Sequence, residues 1–188
     1  NSSLESITNK ARIKYPPREF NTNFQRASTP ENPMFYCTLN KGPDYEDLNP
    51  QMATCFRETF SDYVKLLSHN DSICFSLWNI KCPLRLLTVF NIEDFQNDLD
   101  AYKEIREAYD QFTEHADESL KVRTNEFNEF LVERFSIPVD LNTEDYKPSG
   151  IITQHMLLAL INKNIEIDGI IFKSTKSPNN DFNLAILP

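Results

Sequence analysis

The sequence predicts an α+β fold in which a mixed central β-sheet is flanked by helices. Two short apolar runs, at 168–172 and 183–187, are separated by a polar, turn-rich segment, which is typical of a buried hairpin or of two neighbouring strands. The charged stretch 91–134 carries apolar residues at helical spacing. Hydrophobic residues make up 40% of the 188 positions, enough for one sizeable core. We therefore expect a single domain, residues 1–188, with a helical insertion at about 91–134.

The chain is expected to begin with an extended arm and an irregular loop. Residues 1–19 are mostly polar and contain two consecutive prolines, which exclude a regular helix there. Residues 20–33 show no periodicity and include Arg26. This residue is either a solvated loop arginine or an anchor for an anion, because a guanidinium can donate two parallel hydrogen bonds to a phosphate or a carboxylate.

A buried strand and a long helix are expected next. The apolar run 34–39 predicts the strand, in which Tyr36 is either a core residue or a stacking surface in a cleft. A capping asparagine followed by proline predicts that a helix begins at Asn49 and continues to about residue 67. Glu58 lies on this helix well away from the predicted apolar stripe, which begins with Met52, so the periodicity favours a solvated glutamate over a carboxylate in a cleft.

The apolar pattern of the remaining chain predicts two more strands and three helices. Runs at 73–80 and 84–90 predict strands, and Trp78 is expected at the core or its edge. The charged stretch is expected to form two helices, broken near 114–118, whose charged side chains face solvent. A third helix, at about 149–161, then leads to the closing strands.

Ser174 stands where the first closing strand runs out. Strand ends that face a cleft often carry polar groups that contact ligands, whereas a serine at such a position is ordinarily a cap or turn residue. Both roles are open from the sequence.

The composition argues against several classes of partner and site. A net charge of −9 argues against nucleic acids and anionic membranes as partners, and no apolar run is long enough to cross a bilayer. The four cysteines have no Cys-x-x-Cys spacing and are interpreted as buried, reduced thiols of a cytoplasmic protein. No metal site is expected, because the three histidines have no partner at ligand spacing.

Several segments resemble the motifs of RES-domain proteins. The family's opening pattern is similar to Ala11-Arg12-Ile13, Pro16-Pro17, Arg26-Ala27-Ser28 and Pro33-Met34-Phe35-Tyr36. The helix that carries the family's glutamate is similar to Cys55-Phe56-Arg57-Glu58. Its closing pattern is similar to Ser136-Ile137-Pro138-Val139, Tyr146-Lys147-Pro148-Ser149, Asp168-Gly169-Ile170-Ile171-Phe172-Lys173-Ser174 and Asn183-Leu184.

The resemblance implies an ADP-ribosyltransferase-like fold and an activity on NAD. RES-domain toxins of bacterial toxin–antitoxin pairs cleave the nicotinamide–ribose bond by hydrolysis or phosphorolysis, and one type transfers ADP-ribose to a protein. The chain would then be an NAD glycohydrolase or phosphorylase, an ADP-ribosyltransferase, or an inactive interaction module. Its expected partners are NAD, phosphate and an antitoxin protein, without a metal, and it would act in the cytoplasm as a monomer or a homodimer.

The resemblance also assigns a catalytic role to the three residues after which the family is named. Glu58 would stabilise positive charge on the ribose in an oxocarbenium-like state. Arg26 would bind the pyrophosphate or an attacking phosphate. Ser174 would orient the ribose or the nicotinamide amide. Three further residues would bind substrate: Arg12, Tyr36 and Asn183.

Overall fold

The computed structural model describes residues 21–39, 49–59, 75–91, 100–137, 143–177 and 181–188. Among them are four strands: Phe35–Thr38 (β1), Leu86–Val89 (β2), Gly169–Lys173 (β3) and Phe182–Ile186 (β4). The four α-helices of these ranges are Asn49–Thr59 (α1), Asp100–His115 (α2), Glu118–Ser136 (α3) and Lys147–Asn162 (α4), and a 3₁₀ helix, Thr143–Tyr146, precedes α4. The chain is therefore a mixed α+β protein, as the sequence predicts.

The four strands form one mixed sheet in the order β1-β4-β3-β2. The strand β4 is antiparallel to both of its neighbours, and β2 is parallel to β3. The two closing apolar runs, predicted to form a hairpin or two neighbouring strands, are thus confirmed as the adjacent antiparallel strands β3 and β4 at the centre of the sheet. This topology places the carboxyl ends of β1, β2 and β3 along one edge together with the start of β4, and we call this edge the carboxyl edge.

Each face of the sheet has its own apolar core, because successive side chains of a strand point to opposite faces. One face packs against α3 and α4, and its buried side chains include Ile170, Phe172, Ala185, Leu131, Phe135 and Leu157. The other face contacts α2, and its apolar side chains include Ile171, Phe182, Leu184 and the partly buried Ile105. The helices predicted as an insertion therefore supply part of both cores.

The helices of the charged stretch are confirmed as α2 and α3. The chain breaks between them at Ala116 and Asp117, and the Asp117 carboxylate caps α3 by accepting a hydrogen bond from Leu120 N at 2.8 Å. The predicted helix at 149–161 is confirmed as α4. The helix predicted from Asn49 is present as α1, while its expected continuation to residue 67 lies outside the described residues.

The strand predicted at 73–80 is wrong for its described part. Residues 75–80 have no regular secondary structure and are mostly exposed. Apolar and β-branched residues favour a strand only where a neighbouring strand is available to pair with, and this segment pairs with none of the four described strands. Trp78 is half-buried, with its ring 5.1 Å from that of Phe35 in an edge-to-face contact.

Three cysteines lie within the described residues, and all three are free thiols. Cys37 and Cys55 are partly buried, whereas Cys82 is exposed. The interpretation of all the cysteines as buried is therefore wrong for Cys82, which lies in the irregular segment before β2. In the same described ranges, no helix is both long and apolar enough to span a membrane.

Candidate active site

Glu58 extends from α1 to the carboxyl edge of the sheet. Its Oε1 accepts a hydrogen bond from Ser174 Oγ at 2.5 Å and another from Asn183 Nδ2 at 2.9 Å. Ser174 is 4% exposed and Asn183 6% exposed, and Glu58 itself is partly buried. Because its carboxylate is bound by two buried donors, the interpretation of Glu58 as a fully solvated residue is wrong.

The reason for this error lies in the orientation of α1. The sequence predicts that an apolar stripe containing Met52 faces the core, but Met52 is 36% exposed. Thr54 is instead 1% exposed, and Glu58 lies one turn further along the same side of the helix. The side of α1 that faces the carboxyl edge is therefore polar at these two positions.

The two donors to Glu58 are themselves held in place. Ser174 directly follows β3, where its N–H donates to Asp181 O at 2.8 Å and its Oγ accepts from Lys176 N at 3.2 Å. Asn183 belongs to β4, and its Oδ1 accepts from Thr38 Oγ1 at 3.2 Å. This second contact orients the Asn183 amide so that its nitrogen donates to Glu58.

Arg26 is buried, with only 5% of its surface exposed, and reaches the carboxyl end of α3. It donates hydrogen bonds to Phe135 O, to Ile137 O at 3.2 Å and to Thr175 Oγ1 at 3.3 Å. A cation at a helix carboxyl end is favourable because the last carbonyl groups of the helix have no partner within it. The interpretation of Arg26 as a solvated loop residue is wrong, because its guanidinium is buried and donates three hydrogen bonds to oxygen atoms of the protein.

Tyr36 holds the loop that carries Arg26. Its phenol oxygen accepts a hydrogen bond from Ala27 N at 2.7 Å. Burial raises the pKa of the Tyr36 phenol from 10.0 to about 12, although a side-chain hydrogen bond with Ser28 acts in the opposite direction. The phenol is therefore protonated near neutral pH, and its hydrogen bonds are with Ala27 and Ser28 of this loop.

The same loop packs against the first turns of α4. Gln154 Nε2 donates to Ala27 O at 3.2 Å. A Cβ at Gly150 would lie 2.8 Å from Ser28 O and 2.9 Å from Gln25 O, closer than carbon and oxygen atoms approach without a bond. Glycine at this position thus permits the close contact between α4 and the Arg26 loop.

A hollow of about 350 Å³ opens at the carboxyl ends of β2 and β3, next to α3. Its lining residues are Val89, Phe90, Asn91, Val132, Phe135, Ser136, Lys173, Ser174, Thr175 and Ser177. The lining combines an apolar floor with hydroxyl groups, one amide and one ammonium group, a mixture that suits a polar organic ligand. Glu58 and Arg26 are not part of this lining, but each hydrogen-bonds to a residue of it, Glu58 to Ser174 and Arg26 to Thr175.

The structure brings together most of the residues that the sequence predicts for a site. Glu58, Ser174 and Asn183 are in direct contact, and Arg26 contacts the residue after Ser174. Tyr36 contacts the Arg26 loop through Ala27 N and lies on β1, which pairs with the strand of Asn183. Arg12 lies outside the described residues.

Two polar residues of this region were not predicted from the sequence. Asp181 is 1% exposed, and its carboxylate accepts a hydrogen bond from Thr54 Oγ1 at 2.6 Å. The sequence hint for Asp181 was its position two residues before the closing apolar run 183–187, mirroring that of Ser174 two residues after the run 168–172. Nothing in the helical pattern distinguishes Thr54 from a surface threonine.

The described residues include no cluster of three or more His, Cys, Asp or Glu side chains that could hold a metal ion. No protein-family model, curated protein or solved structure matches the chain. Its function is therefore inferred from its own motifs and from the geometry of the carboxyl edge.

Proposed function

We propose that this protein is an enzyme that degrades NAD by cleaving the nicotinamide–ribose bond, and that it is a RES-like bacterial toxin with an ADP-ribosyltransferase-like fold. The observation that carries the proposal is the hydrogen bond of 2.5 Å between Ser174 Oγ and Glu58 Oε1, which joins residues 116 positions apart. The motif resemblance named these same two residues, together with Arg26, as the catalytic set. Their meeting at one strand end supports a shared role.

The chemistry of the bond explains why a carboxylate is needed. When the bond between ribose C1′ and the nicotinamide nitrogen breaks, the electron pair leaves with the nicotinamide and positive charge develops on the ribose. A fixed carboxylate stabilises that charge. Water or phosphate then bonds to C1′, and with water a proton is released. In this proposal Glu58 supplies the negative charge, while Ser174 and Asn183 hold its carboxylate in one orientation.

The lining of the hollow supports a sugar-containing ligand. The side chains of Ser136 and Thr175 offer hydroxyl groups, and Asn91 offers an amide, all of which can bind ribose hydroxyls. Lys173 adds a positive charge for a phosphate group within a chain whose net charge is −9. A volume of about 350 Å³ is near the small end for ligand pockets, so the nicotinamide ribose half would occupy the hollow.

The contacts of Arg26 favour a second candidate, a catalytically inactive RES-like module that binds another protein. Three hydrogen bonds of its guanidinium already end on Phe135, Ile137 and Thr175. A guanidinium that makes these hydrogen bonds has fewer N–H groups left to donate to a pyrophosphate. In the enzymatic proposal, Arg26 contributes its charge and holds Thr175 at the rim of the hollow.

Incubation of the purified chain with NAD tests the proposal, with nicotinamide and the second product separated by chromatography. Release of nicotinamide with ADP-ribose indicates hydrolysis, and a phosphorylated ADP-ribose formed only in added phosphate indicates phosphorolysis. Transfer of labelled ADP-ribose to an acceptor protein would indicate an ADP-ribosyltransferase instead. Intact NAD together with an unlabelled acceptor would favour the inactive module.

A further inference from the structure

Asp181 connects two parts of the candidate site. Its Oδ2 accepts hydrogen bonds from Thr54 Oγ1 at 2.6 Å and from Ser177 Oγ at 2.5 Å. Its backbone carbonyl oxygen accepts from Ser174 N at 2.8 Å. Asp181 therefore contacts α1 through its side chain and fixes the backbone of Ser174 through its main chain.

The contact with Thr54 bears directly on Glu58. The two residues are four positions apart on α1, so their side chains lie on the same side of the helix, one turn from each other. Both side chains end at the carboxyl edge, one on Asp181 and the other on Ser174 and Asn183. These hydrogen bonds together determine how this side of α1 lies against the edge.

Asp181 is placed to support the site rather than to contact a ligand. Its side chain is 1% exposed, and its Oδ2 already accepts hydrogen bonds from two hydroxyl groups of the protein. Ser177, which lines the hollow, donates a hydrogen bond from its hydroxyl group to the Asp181 carboxylate. The carboxylate thus lies behind the lining, between the hollow and α1.

We propose that Asp181 is a positioning residue that holds α1 against the carboxyl edge and thereby places the Glu58 carboxylate for the reaction. Two hydroxyl donors at 2.5 and 2.6 Å from one carboxylate oxygen are short hydrogen bonds that require all three side chains to be in place. If they are lost, fewer hydrogen bonds, those of Glu58 among them, hold this side of α1 at the edge, and a small displacement of a catalytic group lowers the rate strongly. The effect on rate rests on the proposed function, whereas the effect on α1 does not.

The test uses two near-isosteric variants, Asp181→Asn and Thr54→Val, and their double variant. Asp110→Asn is the matched control, because it makes the same chemical change at an exposed position of α2. Amide hydrogen exchange followed by mass spectrometry reports on α1 and, for comparison, on α4. Steady-state kinetics with NAD report kcat and KM.

We expect faster exchange in α1 in both single variants, with α4 unchanged. We also expect kcat to fall about tenfold in Asp181→Asn with KM within about twofold of the wild-type value, because the substrate contacts are intact. In the double variant, α1 exchange and kcat should change no more than in the more affected single variant, since both substitutions remove the same hydrogen bond between Thr54 and Asp181.

Unchanged exchange in α1, or exchange that rises equally in α1 and α4, would overturn the assignment, because Asp181 would then have no role or only a general stabilising one. If the wild-type chain leaves NAD intact, the proposed function fails, and the exchange of α1 alone decides the role of Asp181. If Asp181→Asn does not fold, the exchange and kinetics of Thr54→Val decide it.

Discussion

Ser174 Oγ lies 2.5 Å from Glu58 Oε1, at the point where β3 ends and α1 passes the sheet. Asn183 donates to the same carboxylate oxygen at 2.9 Å. One oxygen of Glu58 therefore receives two hydrogen bonds from the two central strands or their ends. Because both donors are buried, the carboxylate is fixed more firmly than a surface glutamate would be.

Removal of either donor is predicted to reduce activity on NAD. Ser174→Ala and Asn183→Ala should each lower kcat about tenfold, because Glu58 loses one of the bonds that orient it, and the double variant should lose less than the product of the two effects. Nicotinamide release at saturating NAD measures kcat. Ser119→Ala, an exposed serine on α3, is the matched control. A wild-type kcat in Ser174→Ala would exclude this role for the hydroxyl.

Arg26→Lys is predicted to destabilise the fold. A lysine keeps the positive charge but cannot donate in a fixed fork to Phe135 O, Ile137 O and Thr175 Oγ1 at once. Because these buried carbonyl groups lose a hydrogen-bond donor, the free energy of unfolding should fall by about 1–3 kcal/mol. Urea denaturation measures the change, with the exposed Arg123→Lys as control. Equal stability of the two variants would mean that the described contacts of Arg26 add nothing to the fold.

The stability of the protein is predicted to fall at high pH because of Tyr36. Burial raises the pKa of this phenol to about 12 in the folded state, against 10.0 for the free side chain. The contribution of this pKa shift to the free energy of unfolding is complete below pH 10. It is lost as the pH rises towards 12, because the phenol of the unfolded chain loses its proton at a lower pH than that of the folded chain. Two pKa units correspond to about 3 kcal/mol at most.

Comparison of the wild-type chain with Tyr36→Phe isolates this effect. The free energy of unfolding of the wild-type chain, relative to that of Tyr36→Phe, should decrease between pH 10 and pH 12. Cys37 also titrates in alkaline solution, but it is present in both proteins and its contribution cancels. A constant difference between the two proteins over this range would show that the Tyr36 phenol ionises as readily in the folded state as in the unfolded one.

The described cysteines are predicted to differ in reactivity. Burial and, to a smaller extent, the neighbouring Cys55 raise the pKa of the Cys37 thiol to about 12, whereas Cys82 is exposed. Alkylation requires the thiolate, so iodoacetamide near pH 8 should modify Cys37 at least about tenfold more slowly than Cys82. Peptide mass spectrometry over time measures both rates. Similar rates in the native protein, as in the urea-denatured control, would contradict the described burial of Cys37.

The closing strands were predictable from the sequence because their apolar runs are buried on both faces. Four of the five residues of β3 are buried, and so are four of the five of β4. Such strands appear as continuous apolar segments, which are a strong local pattern. The segment 75–80 has a similar apolar content, but whether it forms a strand depends on pairing, which no local pattern specifies.

The candidate site was predictable in its members but not in its contacts. The environment of Arg26 depends on Phe135, 109 positions further along the chain, so composition alone could not show whether it is solvated. Glu58 was misjudged because the helical pattern places apolar residues inside, whereas α1 buries Thr54 and exposes Met52. Only the tertiary position of α1 at the carboxyl edge decides between these orientations.

The central claim is that the Glu58 carboxylate promotes cleavage of the nicotinamide–ribose bond. The most direct measurement compares the rate of nicotinamide release from NAD by the wild-type chain, by Glu58→Gln and by Glu107→Gln, which makes the same change at an exposed position of α2. We predict measurable release by the wild-type chain, a loss of at least about tenfold in Glu58→Gln and no loss in Glu107→Gln. Equal release by Glu58→Gln and the wild-type chain, or no release by a folded wild-type chain, would contradict the account.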